Sequence, residues 1–191
     1  MDAVVKAVLG SGLSSLGVRR LTHTIVRSPA TDSGVYRRPH ESLRPLLSSH
    51  RFAVALFDYH GCGAEHRLEV RDAAAHAQEL LERNGWAGRA RAICIDPELE
   101  RWIVCTRSPM AEELGISERS VHEALRKAGH LPNAEGKFDD PKAAWEVLLR
   151  ATKTGRSAAL YVNLARGLRL DQCTDPAFVK LVGFLRRHFP A

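Results

Sequence analysis

Two short apolar runs separated by an amphipathic stretch constrain the fold of this chain more than any other feature. Phe52-Ala-Val-Ala-Leu-Phe57 is continuous in the way of a strand buried on both faces, and Arg91 to Ile95 reads as a second short strand. Between them, Glu69 to Arg83 sets Val70, Ala73, Ala74, Ala77, Leu80 and Leu81 at helical spacing with charges in between, and Asn84-Gly85 supplies the stop. A tight turn can join antiparallel strands, whereas a crossover of this length joins parallel ones. The expectation is an α/β domain, a small parallel sheet with helices on both faces. Leu21 to Val26, β-branched and apolar and ended by Ser28-Pro29, reads as a further strand. A polar, Gly-containing loop and a short helical segment near Glu41 to Leu47 follow it.

After Ile95 the chain becomes helical. Asp96-Pro97, Ser108-Pro109, Asp140-Pro141 and Asp175-Pro176 each place a capping side chain before a proline suited to the first helical position, which predicts four helix starts. Ala143, Ala144, Val147 and Leu148 mark one helix, Tyr161, Leu164, Ala165 and Leu168 another. Phe178, Leu181, Val182 and Leu185 mark the apolar face of the last. With 191 residues, one compact core is the default. The expected organisation is an α/β core over residues 1–107 and a helical extension over 108–191 packed on the same core.

The net charge of +6 comes from 28 basic and 22 acidic residues, and 22 of the basic ones are Arg. It permits a polyanionic partner without requiring one. Along the chain, residues 1–51 carry +5, residues 52–136 carry −4 and residues 137–191 carry +5, so the acidic groups concentrate in the middle. Cys62, Cys94, Cys105 and Cys173 form no CxxC pair and follow no secretory signal, which points to a reducing cytoplasm. The longest strongly apolar run, Ala53 to Phe57, is far too short to cross a bilayer, so no membrane role is expected.

Open α/β sheets place their chemistry at the carboxyl ends of the strands. Asp58 ends the first run and opens the turn Asp58-Tyr-His-Gly-Cys-Gly63, and Asp96-Pro-Glu-Leu-Glu100 follows the second. A hard divalent cation, Mg2+ or Mn2+ in its place, takes oxygen ligands of this kind, which makes Asp58, Asp96, Glu98 and Glu100 the candidate catalytic set, with Asp58, Glu98 and Glu100 as metal ligands. Asp96 equally suits a helix cap, and Glu98 and Glu100 suit the positive end of a helix dipole. His60, Cys62 and His66 form a ligand-like cluster that lacks the fourth ligand of a zinc site.

A rival motif lies in the helical half. Met110 to Gly129 reads as a helix, a Leu-Gly-Ile-Ser turn and a second helix with Val121 and Leu125 buried, the pattern of a helix-turn-helix. Ser117, Glu118, Arg119 and His122 would then face a major groove. Glu112, Glu113, Glu118 and Glu123 oppose phosphate binding there, and the same letters describe any two short packed helices. The pairs Arg19-Arg20, Arg37-Arg38 and Arg186-Arg187 can grip phosphate, and the first two are the candidate nucleic-acid contacts.

The stretch Ala55-Leu-Phe-Asp-Tyr-His-Gly-Cys-Gly63, the run Ile95-Asp-Pro-Glu-Leu-Glu-Arg-Trp102, the segment Asp140-Pro-Lys-Ala-Ala144 and the tail Ser157 to Leu185 with Cys173-Thr-Asp-Pro-Ala-Phe178 resemble a small protein of the bacterial methylation-associated phage-defence system. More distantly, the Phe-Asp-Tyr turn and the Glu-x-Glu pair look like an uncharacterised Toprim-like family. By motif order the resemblance extends from about Ser28 onward. It implies a Toprim-like sheet and a role in an antiviral operon beside other subunits, with no settled activity. Toprim catalytic domains carry a Glu after their first strand and an Asp-x-Asp after a later one. Here Asp58 matches the first Asp, His60 stands at the second, and Asp2 to Leu9 looks like the helix that would follow a first strand missing from the N-terminus. Three readings follow: a non-catalytic, degenerate defence subunit acting with nucleic acid or partner proteins; a metal-dependent nuclease using Asp58 with Asp96, Glu98 and Glu100; and a helix-turn-helix DNA-binding protein.

Overall fold

The computed structural model describes residues 2–11, 16–104, 107–133, 138–167 and 173–191. In chain order its elements are α1 (Asp2–Ser11), α2 (Thr31–Arg37), α3 (Pro39–Leu43) running into a 3-10 turn (Arg44–Leu46), β1 (Ala53–Asp58), α4 (Val70–Leu81), β2 (Ala90–Ile95), α5 (Glu100–Val104), α6 (Arg107–Glu113), α7 (Glu118–Lys127), α8 (Pro141–Ala151), α9 (Ala158–Gly167) and α10 (Pro176–His188). They fall into two compact units, His23–Glu98 and Met1–Thr22 together with Leu99–Ala191. The sequence reading divides the chain after residue 107. The structure divides it between Glu98 and Leu99 and groups the first 22 residues with the C-terminal helices.

The α/β unit holds two parallel strands, with Ala53 opposite Ala90 and Asp58 opposite Ile95. Ala55, Phe57, Ala90, Ala92 and Cys94 share one face and pack on Ala73, Ala77 and Leu81 of α4, with Val35 and Tyr36 of α2 and Leu43 of α3 around them. The helices of this unit cover this face of the sheet, and on the opposite face Ile93 and Ile95 of β2 are fully buried as well. Alanines on the strands and on α4 let the helix approach closely, and fully buried Phe57 fills the space toward α2, its ring 6.0 Å from that of Tyr36. A buried ring of that size is worth about 2–3 kcal/mol.

Side chains occupy the outer edges of this small sheet. The Gln78 amide donates to Ala90 O (3.1 Å) and accepts from Ala92 N–H (2.8 Å), so α4 satisfies the free edge of β2. On β1, the Asp58 N–H donates to Asp32 Oδ1 at 3.0 Å. Buried backbone groups need such partners, and here side chains supply what a third strand would. Leu21–Val26, expected as a strand, has no secondary structure, and Val26 is 43% exposed. A β-branched run becomes a strand only against a partner edge. Conversely, α2 forms where a loop is expected: its Gly34 is buried so tightly that a Cβ there would come within 2.8 Å of the Ala30 methyl.

In the helical unit the capping device works at Asp140 and at Asp175. Asp140 accepts from Ala143 N–H at 2.7 Å, and Asp175 from Ala177 and Phe178 N–H at 2.9 and 3.1 Å, each with proline in the first helical turn. At Asp96-Pro97, in the α/β unit, no helix starts: α5 begins only at Glu100, and Pro97 O accepts the His60 N–H at 3.1 Å. Helix α6 begins at Arg107, ahead of the expected Ser108 cap, and the side chains of Ser108 and Pro109 lie outside the described residues, as does Leu168. Helix α1 packs on α9, and the bridge between Val18 and Pro190 brings the chain ends together. Asp175 is also a buried hub, accepting the Trp102 indole N–H at 3.0 Å and pairing with Arg101 at 3.1 Å.

Candidate functional site at the ends of the parallel strands

Both strands end on acid-bearing loops, and the backbone holds these loops side by side. The Tyr59 N–H donates to Ile95 O (2.8 Å), continuing the ladder one residue past β1, and the His60 N–H donates to Pro97 O. Asp58 is half-buried at the last position of β1, Asp96 is exposed directly after β2, and Glu98 is half-buried two residues further. Glu100 is the first residue of α5 and belongs to the helical unit. The helical i, i+4 relation expected between Asp96 and Glu100 does not form, since Asp96 lies outside the helix.

Two carboxylates that the sequence reading passed over complete the α/β unit's acidic end. Asp32 reaches the end of β1 from α2, and Glu65 folds back over the turn to accept the Gly61 N–H. The N–H groups of Glu65 itself, Gly61 and Gly63 hold the Glu65 carboxyl below its ordinary value. Gly61 and Gly63 have φ of +89° and +86°, which a side chain adopts poorly, and a Cβ on Gly63 would lie 2.8 Å from Arg37 Nη2. Arg37 thus sits against the turn. Tyr59 ties it down from the other side, its hydroxyl donating to Leu68 O (2.7 Å) and Glu65 O (3.2 Å); burial first, then the Glu69 carboxylate, pushes this phenol up. Asp32 carries no local signal in the sequence, because its partner lies 26 residues away.

Cys62 is fully buried in the core of this unit, and burial pushes its thiol up, with Glu65 and Asp32 adding to the effect. A neutral core thiol is a packing group, and His60 and His66 are exposed on the loop around it. Among the described residues no three His, Cys, Asp or Glu side chains are grouped to hold a metal ion, zinc or magnesium. Cys105 lies outside the described residues.

The candidate arginines divide between the units. Arg38 pairs with Glu41 at 3.6 Å beside Arg37 in the α/β unit. Arg19 and Arg20 belong to the helical unit, where the Arg19 guanidinium stacks 5.5 Å over the Phe189 ring and Arg20 is exposed. Arg186 donates to Leu16 O at 2.5 Å, so it anchors the chain ends. No helix among the described residues is long and apolar enough to cross a membrane. Comparison with protein-family models, with curated proteins and with solved structures finds no match for this chain.

Proposed function

We propose that the protein is a cytoplasmic component of a bacterial antiviral defence system, a degenerate Toprim-like subunit that works with nucleic acid or partner proteins and does not cut. The observation that carries this reading is the use to which the acids at the β1 turn are put. Asp32 and Glu65 bind backbone N–H groups of Asp58 and Gly61, and His60 stands where a catalytic Toprim domain has its second Asp. Carboxylates engaged in this way stabilise the loop as anions. A second reading, Mg2+- or Mn2+-dependent cleavage through Asp58, Asp96, Glu98 and Glu100, draws on the two hydrogen bonds that align the acid-bearing loops.

The test has two arms. Purified protein is incubated with plasmid DNA, single-stranded DNA and RNA in Mg2+ and in Mn2+, beside Asp58→Ala. No cleavage by either protein is expected, and cleavage that vanishes in Asp58→Ala would overturn the proposal in favour of the second reading. In cells, deleting the gene from its operon is expected to raise phage plating, with Asp58→Ala restoring protection as wild type does. Unchanged plating after the deletion would remove the defence role.

A further inference from the structure

The helical unit carries a structural motif that the defence reading leaves unused. Helix α6 ends at Glu113 and α7 starts at Glu118, joined by Leu114-Gly-Ile-Ser117. Gly115 takes φ +66° in this turn with open space around it, and the Ile116 N–H returns to Ala111 O at 3.0 Å. Ser117 caps α7 by accepting the Ser120 N–H at 3.1 Å. Leu114, Val121 and Leu125 are buried, α7 packs on α6 and on α8, and the helix closes at Gly129, φ +77°, with the His130 N–H on Leu125 O. These are the parts of a helix-turn-helix: a short turn with glycine, a capped second helix and a supporting third helix.

The outward face of α7 is exposed. Val121 and Leu125 define its buried side; opposite them stand Arg119, Glu123, Arg126 and Lys127, flanked by Ser120 and His122, all exposed. Arg119 is the second residue of α7, exposed and paired with Glu123 at 2.9 Å, in the first turn where recognition helices place a base-reading side chain. The charge of the units points the same way. The helical unit has 18 basic and 12 acidic residues, the α/β unit 10 of each, so the whole net charge of +6 belongs to the unit that carries α6 and α7. That excess answers the opposition of Glu112, Glu113, Glu118 and Glu123, since phosphate affinity follows the field of the domain as well as single contacts.

We infer that α6 and α7 bind duplex DNA, with the first turn of α7 in the major groove, Arg119 reading a guanine edge, and Arg126 and Lys127 on the flanking phosphates. The binding is independent of the acidic turn and of whether the protein serves in defence. The test is selection of a random-sequence duplex library by the full chain, then fluorescence anisotropy on the enriched duplex. A consensus is expected. Arg119→Ala should reduce the preference for the consensus over scrambled duplex by about 10- to 100-fold. Lys127→Ala should weaken both duplexes alike and lower the slope of log K against log salt by about 0.9. Both side chains are exposed, so unchanged thermal midpoints identify these losses as binding effects. No enrichment from the library, equal discrimination by Arg119→Ala and wild type, or tighter binding of single-stranded RNA than of any duplex would each overturn the inference.

Discussion

Replacing Asp175 with Ala should be among the most damaging single substitutions in the helical unit. Its side chain is 5% exposed, and one oxygen accepts three donors, the N–H groups of Ala177 and Phe178 and the Trp102 indole, while the other lies 3.1 Å from the Arg101 guanidinium, itself 10% exposed. Loss of an N-cap costs about 1 kcal/mol. Removing one partner of a buried ion pair costs about 3–5 kcal/mol, because the remaining charge stays desolvated. One carboxylate serves both roles, so the terms overlap, and about 4 kcal/mol is expected in total. That is a large part of the 5–15 kcal/mol typical of a folded domain. Asp175→Asn keeps an oxygen for the cap and the indole but removes the charge facing Arg101 and turns an amide NH2 toward the guanidinium, so it should recover only the capping share, about 1 kcal/mol. Guanidinium denaturation followed by tryptophan fluorescence and far-UV circular dichroism measures both variants. A loss below about 1 kcal/mol in Asp175→Ala would refute the idea that this carboxylate organises the start of α10 and the buried Arg101.

Phe57→Ala should weaken the α/β unit: the ring is fully buried between the sheet and α2, and such truncations cost about 3–5 kcal/mol, so a variant that denatures within about 1 kcal/mol of wild type would mean a looser core than the structure has. Glu65 should shape the acid limb of the α/β unit's stability. Its folded-state carboxyl lies below the ordinary 4.5, so its contribution is complete above that value and is lost as pH falls through the folded one; Glu65→Gln should flatten the limb, and an identical pH profile for the two proteins would show that the carboxylate does not hold the turn.

Much of the local structure could be read from the sequence. The continuous apolar run at Phe52–Phe57 and the shorter one at Arg91–Ile95 are β1 and β2, paired parallel as the helical crossover between them demands. Asp140 and Asp175 cap the helices their prolines announce, and Val121 and Leu125 mark the buried side of α7. The same kind of evidence misled at Leu21–Val26, which has no partner strand among the described residues, and at Asp96-Pro97, where the backbone instead joins the neighbouring loop through the His60 N–H and the helix starts at Glu100. Within the candidate site, Asp58 and Asp96 could be found from their places after apolar runs. Asp32, Glu65 and Arg37 could not, because only the folded chain brings them to the turn.

By itself, then, the sequence determined what depends on residues a few positions apart: strand runs, helical periodicity, caps, and a turn with glycine at its left-handed position. The tertiary structure decided which distant groups meet. It put the Gln78 amide on the edge of β2 and Asp32 on the end of β1, and it joined Asp175 to Trp102 across 73 positions. It also regrouped the charge. Along the chain an acidic middle lies between basic ends; in the structure the ends come together in one basic unit and leave a neutral α/β unit. The physical reason is that helix and strand propensities act over a turn or a ladder step, whereas charge and packing act through space, and space is set only when chain ends such as Val18 and Pro190 meet.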